Sequence, residues 1–385
     1  MKIILIGGSA LAAVAAATAA LAQHAAPPKV EAVYWLSAET VSGIATGRPG
    51  GIEKNLVLQL GSIRSNPAPE AAHLPPAGLR TGERLPLISS KHVEPKGDSR
   101  REYRPDTPDK IKGRIELYWG CGETAPAGQP FVVDLSTLRP GSSSPFGGVP
   151  QVTAMTPPSQ SRHAGYGEWP NGQRGAWVAR EGSLIGEHVV RGNYSPEMRF
   201  AVAAGNDFLA PLAPRHAALP SGAVNVSWPA LNNARGYILT VVAARSDGTT
   251  VMWTSSVVRM PGTALPDYLT QGDIARLVQQ RVLLSPATTQ CAVPAAVAKA
   301  SDSAMFMMTA YGPEANFGSP REAPAGWAVK VRTKATHMAM LGMDMSKLLG
   351  GSDRDDAEAP ADGDKPKKKR GLLRGVMGGA LGIPG

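Results

Sequence analysis

Along most of this chain apolar and polar residues alternate with a period of two, and segments with a helical period are few. The clearest alternation is Arg114-Ile115-Glu116-Leu117-Tyr118-Trp119, where Ile115, Leu117 and Trp119 point one way and Arg114, Glu116 and Tyr118 the other. Comparable runs fall at residues 30–44, 54–61, 131–135, 175–180, 184–191 and 198–203, then at 224–229, 234–241, 305–312 and 326–332. Asn193-Tyr194-Ser195-Pro196 reads as a tight connection between two antiparallel strands. The pattern predicts a mostly β protein: two antiparallel β-sandwich domains with long Pro/Gly-rich loops, a short helical insertion and a disordered C-terminal tail.

The first domain is expected over residues 30–214, with loop insertions at 62–112 and 139–162. The first of these carries many prolines and charges, and the second is rich in Ser, Gly and Pro, so neither suits a central strand. The second domain is expected over 219–334. Within it, 267–282 is helical in pattern: Leu269, Ile274, Leu277, Val278 and Val282 approximate one face, with Asp273 at the start. Met338, Leu341, Met345 and Leu348 fall at helical spacing and predict a short amphipathic helix over 335–350. The tail, 351–385, is acidic and then basic, a composition that predicts disorder.

Part of the second domain has a recognisable layout. Val224-Asn225-Val226-Ser227-Trp228 reads as a strand ending in Trp, Tyr237 follows nine residues later, and Ala315-Asn316-Phe317-Gly318-Ser319 forms a turn before the last strand. In these features residues 219–334 resemble a fibronectin type III module. The resemblance implies a sandwich with Trp228 and Tyr237 as buried anchors, and a binding or spacer role rather than catalysis. It implies no functional residues.

The two ends of the chain bear on location. Met1-Lys2 followed by an uncharged apolar run to Leu21, with Ala20-Leu21-Ala22 as a small-x-small cleavage pattern, predicts a signal peptide over residues 1–22 and an exported, periplasmic or envelope-associated protein. No later stretch reaches the roughly 20 apolar residues that a spanning helix needs. The net charge of +9 favours acidic partners: an envelope protein, an anionic lipid or an anionic glycan. Nucleic acid is a poor match for an exported chain with 5% aromatic residues and no basic-aromatic stacking motif. Lys365, Lys367, Lys368, Lys369, Arg370 and Arg374 lead into an apolar, Gly-rich end, an arrangement suited to tethering on an anionic surface. In an oxidising compartment Cys121 and Cys291 form a possible disulfide.

Catalytic patterns do not emerge. There is no His-Glu-x-x-His, no Ser-x-x-Lys, no Cys-x-x-Cys, no phosphate loop and no cofactor signature, and the seven histidines are scattered. The chemistry with the densest donors is His337-Met338-Ala339-Met340-Leu341-Gly342-Met343-Asp344-Met345. Its imidazole and thioethers (His337, Met338, Met340, Met343, Met345) are soft ligands suited to Cu(I). The leading expectation is a non-catalytic exported scaffold or binding protein. A periplasmic copper-binding protein is the first alternative. A carbohydrate-binding or glycan-active protein is the second, using Trp35, Trp119, Trp169 or Trp177 as a sugar platform.

Overall fold

The structure is a computed structural model that describes residues 28–47, 50–89, 113–137, 150–172, 177–301 and 303–341. The signal segment, residues 342–350 and the acidic-basic tail lie outside them. In chain order the first half forms β1 (Val30–Gly43), β2 (Ile52–Ser62), β3 (Ala71–Leu74), β4 (Leu85–Pro86), β5 (Arg114–Trp119), β6 (Phe131–Asp134), β7 (Gly165–Trp169), β8 (Gly186–Gly192) and β9 (Ser195–Val202). The second half forms β10 (Arg215–Ala218), β11 (Val224–Ser227), β12 (Gly236–Ala244), β13 (Thr249–Thr254), α1 (Gln271–Gln279), β14 (Gln290–Val293), α2 (Ala295–Ala298), β15 (Met305–Gly318) and β16 (Gly326–Met340). The fold is mostly β, as the alternation predicts. No helix among the described residues is long and apolar enough to cross a membrane.

Nine strands form one sheet in the order β6-β5-β13-β12-β15-β16-β1-β2-β7. The halves expected as separate sandwiches therefore share this sheet, and the described residues fall in one unit. The join is β1 against β16, which run parallel from Val30↔Gly326 to Gly43↔Met338. A second parallel pair, β5 with β13, departs from the all-antiparallel expectation. Parallel neighbours need long connections, and here well over a hundred residues separate each pair in sequence.

One face of the large sheet carries two small sheets. β4-β3-β8-β9 covers β1, β2, β7 and the start of β16, enclosing Tyr34, Leu36, Leu58, Leu60, Val190, Met198, Phe200 and Val331. β10-β11-β14 covers β12, β13, β15 and the end of β16, enclosing Val226, Trp228, Tyr237, Val241, Trp253, Phe306 and Met308. Trp228 and Tyr237 meet edge to face with ring centroids 5.6 Å apart, and the Tyr237 hydroxyl accepts from the Leu231 N–H at 3.0 Å. Cys121, just past β5, is bonded to Cys291 on β14, so a disulfide staples the large sheet to the three-stranded one.

Three expectations give way to tertiary structure. Residues 71–74 and 85–86, read as loop, are strands: prolines flank Ala71–Leu74 without interrupting it, and Pro86 sits on an edge strand that needs fewer donors. Residues 335–340, read as helix, continue β16, because β15 and β1 hydrogen-bond along both its sides and override a weak helical spacing. The helix over 267–282 contracts to α1, and its N-cap is Thr270 rather than Asp273.

Asp273 instead closes the first turn of α1. Its carboxylate accepts from Thr270 Oγ1 at 2.7 Å, Arg276 Nη2 at 2.7 Å and the Thr153 N–H at 2.9 Å. Burial alone would raise its pKa, but the bonds from Arg276, Thr270 and Thr153 prevail and hold it at about 2. A carboxylate held below its ordinary value stabilises the fold above that value and stops doing so as pH falls towards 2. Asp273→Asn is therefore expected to flatten the pH dependence of stability between about pH 4 and pH 2, measured by chemical denaturation.

Candidate functional site

The face of the large sheet opposite the two small sheets carries the chemistry. Along β16 the residues Lys330, Arg332, Lys334, Thr336, Met338 and Met340 project there, while Trp327, Val329, Val331, Ala335 and Ala339 enter the cores. The outer row is basic in its first half and thioether-rich in its second.

In the basic half, Arg332 lies between two rings. Its guanidinium carbon is 4.7 Å from the Trp35 ring centroid and 4.1 Å from that of Tyr268. Trp35 is at the neighbouring position on β1, two residues before Ser37, whose Oγ accepts from Arg332 Nε at 2.8 Å. Nη1 donates to the thioether of Met155 at 3.8 Å, a weak bond. The flanking lysines are matched with acids: Lys330 with Glu314, and Lys334 with Glu39 at 3.3 Å and Asp267 at 3.0 Å. Among the described residues no carboxylate forms an ion pair with Arg332. Burial lowers its pKa from the ordinary arginine value, against the pull of Tyr268, Glu314 and Asp267. Burial raises the Tyr268 hydroxyl well above the usual tyrosine value, with Glu39 adding to it.

Arg332 and Tyr268 open onto a cleft of about 620 Å³, walled by Thr153, Met155, Pro157, Pro266 and Asp267. Cation–π contact with both rings holds the guanidinium, and with Nε given to Ser37 and one Nη1 hydrogen to Met155 the remaining donors are at its Nη edge. An edge so held is complementary to a carboxylate or phosphate.

Of the donors expected around His337, only some come together. His337 and Met338 are adjacent on a strand and so face opposite sides of the sheet. His337 Nδ1 lies 2.9 Å from Ser42 Oγ on the core side. Burial pulls this imidazole down to about 4, with His216 adding to the shift. Met338 and Met340 are on the outer side. Met343 and Met345, like the tail residues Lys365, Lys367, Lys368, Lys369, Arg370 and Arg374, lie outside the described residues.

The four tryptophans expected as a sugar platform do not line up as one. Trp169 is buried in the first core, Trp35 is taken up by Arg332 and Trp119 is half-buried, leaving Trp177 exposed. Trp177 borders a second cleft of about 580 Å³ together with Trp169, Glu39, Glu53 and Arg180, so two of the four share one cleft.

The interior holds a hydrogen-bonded chain that no motif announces. Tyr34 Oη is 2.8 Å from His73 Nδ1, His73 Nε2 is 3.0 Å from His188 Nδ1, and His188 Nε2 is 2.7 Å from the Leu184 carbonyl oxygen. A carbonyl only accepts, so His188 carries its proton on Nε2 and accepts at Nδ1. His73 then donates from Nε2 and accepts the Tyr34 hydroxyl at Nδ1. Both rings are fully buried, and burial lowers both pKa values, so both stay neutral and the chain is satisfied throughout.

The Arg332 clamp was partly legible, in the alternation Lys330-x-Arg332-x-Lys334. Its aromatic walls come from β1 and the segment before α1, far away in sequence, and nothing local announces them. No protein-family model matches the chain, and no curated protein matches its sequence.

Proposed function

We propose that this chain is a non-catalytic binding and scaffold protein of the cell envelope, and that it holds an acidic group of an envelope glycan or lipid in the Arg332 cleft. The observation that carries this reading is Arg332 itself: a guanidinium stacked between Trp35 and Tyr268, without an ion-pair partner among the described residues, at the wall of a cleft. An arginine edge costs desolvation when it is buried alone, and an anion arriving in the cleft offsets that cost. The Cys121–Cys291 bond suits an oxidising compartment, as does the signal segment read from the sequence. The resemblance of residues 219–334 to a binding or spacer module points the same way, and the basic tail supplies a second, salt-sensitive contact with an anionic surface.

The test is binding of the full mature chain to a uronic-acid oligosaccharide and to anionic phospholipid vesicles, across a salt titration. Arg332→Gln is expected to weaken binding about tenfold or more, the effect of losing one charge-assisted pair, with an unchanged near-ultraviolet circular dichroism spectrum. Equal affinity of Arg332→Gln and wild type, with loss only on deleting residues 365–385, would assign binding to the tail and overturn the cleft.

A further inference from the structure

We propose that the second half of the same outer face is a thioether site for a soft monovalent ion, Cu(I) or Ag(I), built from Met305, Met307, Met338 and Met340. The register carries the argument. β15 and β16 are antiparallel neighbours with Met305 opposite Met340 and Met307 opposite Met338. Positions two apart on a strand share a face, so all four side chains stand on one side of the sheet. Directly opposite residues have Cβ atoms about 5 Å apart. Successive same-face residues are about 7 Å apart along the strand. The four thioethers thus rise from the corners of a small rectangle, each on a flexible side chain with three rotatable bonds, and can converge above its centre.

Three further observations separate this patch from ordinary packing. All four methionines are half-buried, and none belongs to, or packs as a partly buried residue against, the two cores under the small sheets or the third apolar cluster, which Ile238 and Tyr311 form with Ile274 and Leu277 of α1. The adjoining positions bring no charge. On β12, Val242 faces Met305 and Thr240 faces Met307, and on β1 Gly43 faces Met338. At Gly43 φ is +80°, and a Cβ there would collide with the Met338 carbonyl, so only glycine lets the two backbones approach this closely and no β1 side chain stands beside Met338. A donor set of thioethers without carboxylates selects soft ions over Ca²⁺, Mg²⁺ or Mn²⁺.

The site differs from the run of donors in the sequence. His337 is on the opposite face, and half of the ligands come from β15, more than thirty residues upstream. It also needs no thiolate, since the chain has 2 cysteines and both are in the disulfide. Thioethers do not titrate, so ion binding should be nearly independent of pH down to the limit of the fold.

The decisive measurement is Ag(I) binding to the full mature chain by calorimetry, with Cu(I) measured by competition against a chromophoric chelator, anaerobically and without thiol reductants. One ion per chain is expected. The variant M305L/M307L/M338L/M340L keeps the volume and apolarity of the patch, and so should fold. It is expected to lose at least a hundredfold in affinity and the ion-induced rise in Tm that wild type shows. In spectra of methionine-methyl-labelled protein, the resonances of these four residues are expected to shift on ion addition. Undiminished binding by the fourfold variant, or shifts confined to Met343 and Met345, would overturn the site. Arg332→Gln is expected to bind the ion normally, which keeps this test independent of the cleft.

Discussion

Replacing Cys121 and Cys291 with serine is expected to remove about 5 kcal/mol of stability. The bond closes a loop with a sequence separation of 170 residues. The chain-entropy relation assigns a loop of that size about 5 kcal/mol at 25 °C. For a domain of this size, such a loss corresponds to a fall in Tm of roughly 10–20 °C. The staple joins Cys121, after β5, to β14 of the three-stranded sheet, next to the backbone bond from Gly122 N–H to the Ala292 carbonyl at 2.9 Å. Denaturation of the double variant, compared with oxidised and reduced wild type, checks the magnitude. A shift of less than about 1 kcal/mol would mean that the paired sheets hold β5 and β14 together without the bond.

The second large effect concerns the buried chain of Tyr34, His73 and His188. His73→Ala leaves the Tyr34 hydroxyl and His188 Nδ1 without their partner and opens a cavity in the first core. The expected cost is about 3–5 kcal/mol. Tyr34→Phe removes only the terminal donor and is expected to cost about 1 kcal/mol. The pH dependence distinguishes this role from simple packing. Both histidines are held neutral in the fold, by burial above all, whereas the unfolded chain takes up protons below about pH 6.5. The unfolded state therefore binds more protons in that range, and stability falls as pH drops below about 6.5. Each histidine contributes up to about 1.4 kcal/mol per pH unit. Removing His73 should lower the slope by its own share, up to about 1.4 kcal/mol per pH unit, while His188, His337 and His216, also held down by burial, keep theirs; urea denaturation at several pH values would measure this.

Strand identity was legible wherever alternation or β-rich composition persisted. Arg114–Trp119, the clearest alternation inside the expected run 113–121, is a strand, and 184–191 and 198–203 pair antiparallel across Asn193-Tyr194. Alternation does not tell which face meets the core. Glu116 and Tyr118 are buried together with Leu117, and Glu116 is accommodated by Arg245 at 2.9 Å and Arg114 at 3.4 Å. Nor does alternation say which strands are neighbours. The four methionines of the proposed ion site sit in two separate runs, and only the β15–β16 register makes them one patch. His73 and His188 are likewise 115 residues apart, and each reads alone as an unremarkable residue.

The pairing of β1 with β16 also has a consequence for assembly. Ser42 and His337 lie 295 residues apart in sequence, yet they are neighbours in the middle of the sheet. β1 therefore keeps one side of its backbone unpaired until nearly the whole folded region has been made. Contacts this distant slow folding, and an unsatisfied apolar edge invites pairing with other chains in the meantime. A chain cut short before β16 would have its first strand and β15 both ending in open edges, so truncation products should be cleared or aggregate rather than persist as half-proteins.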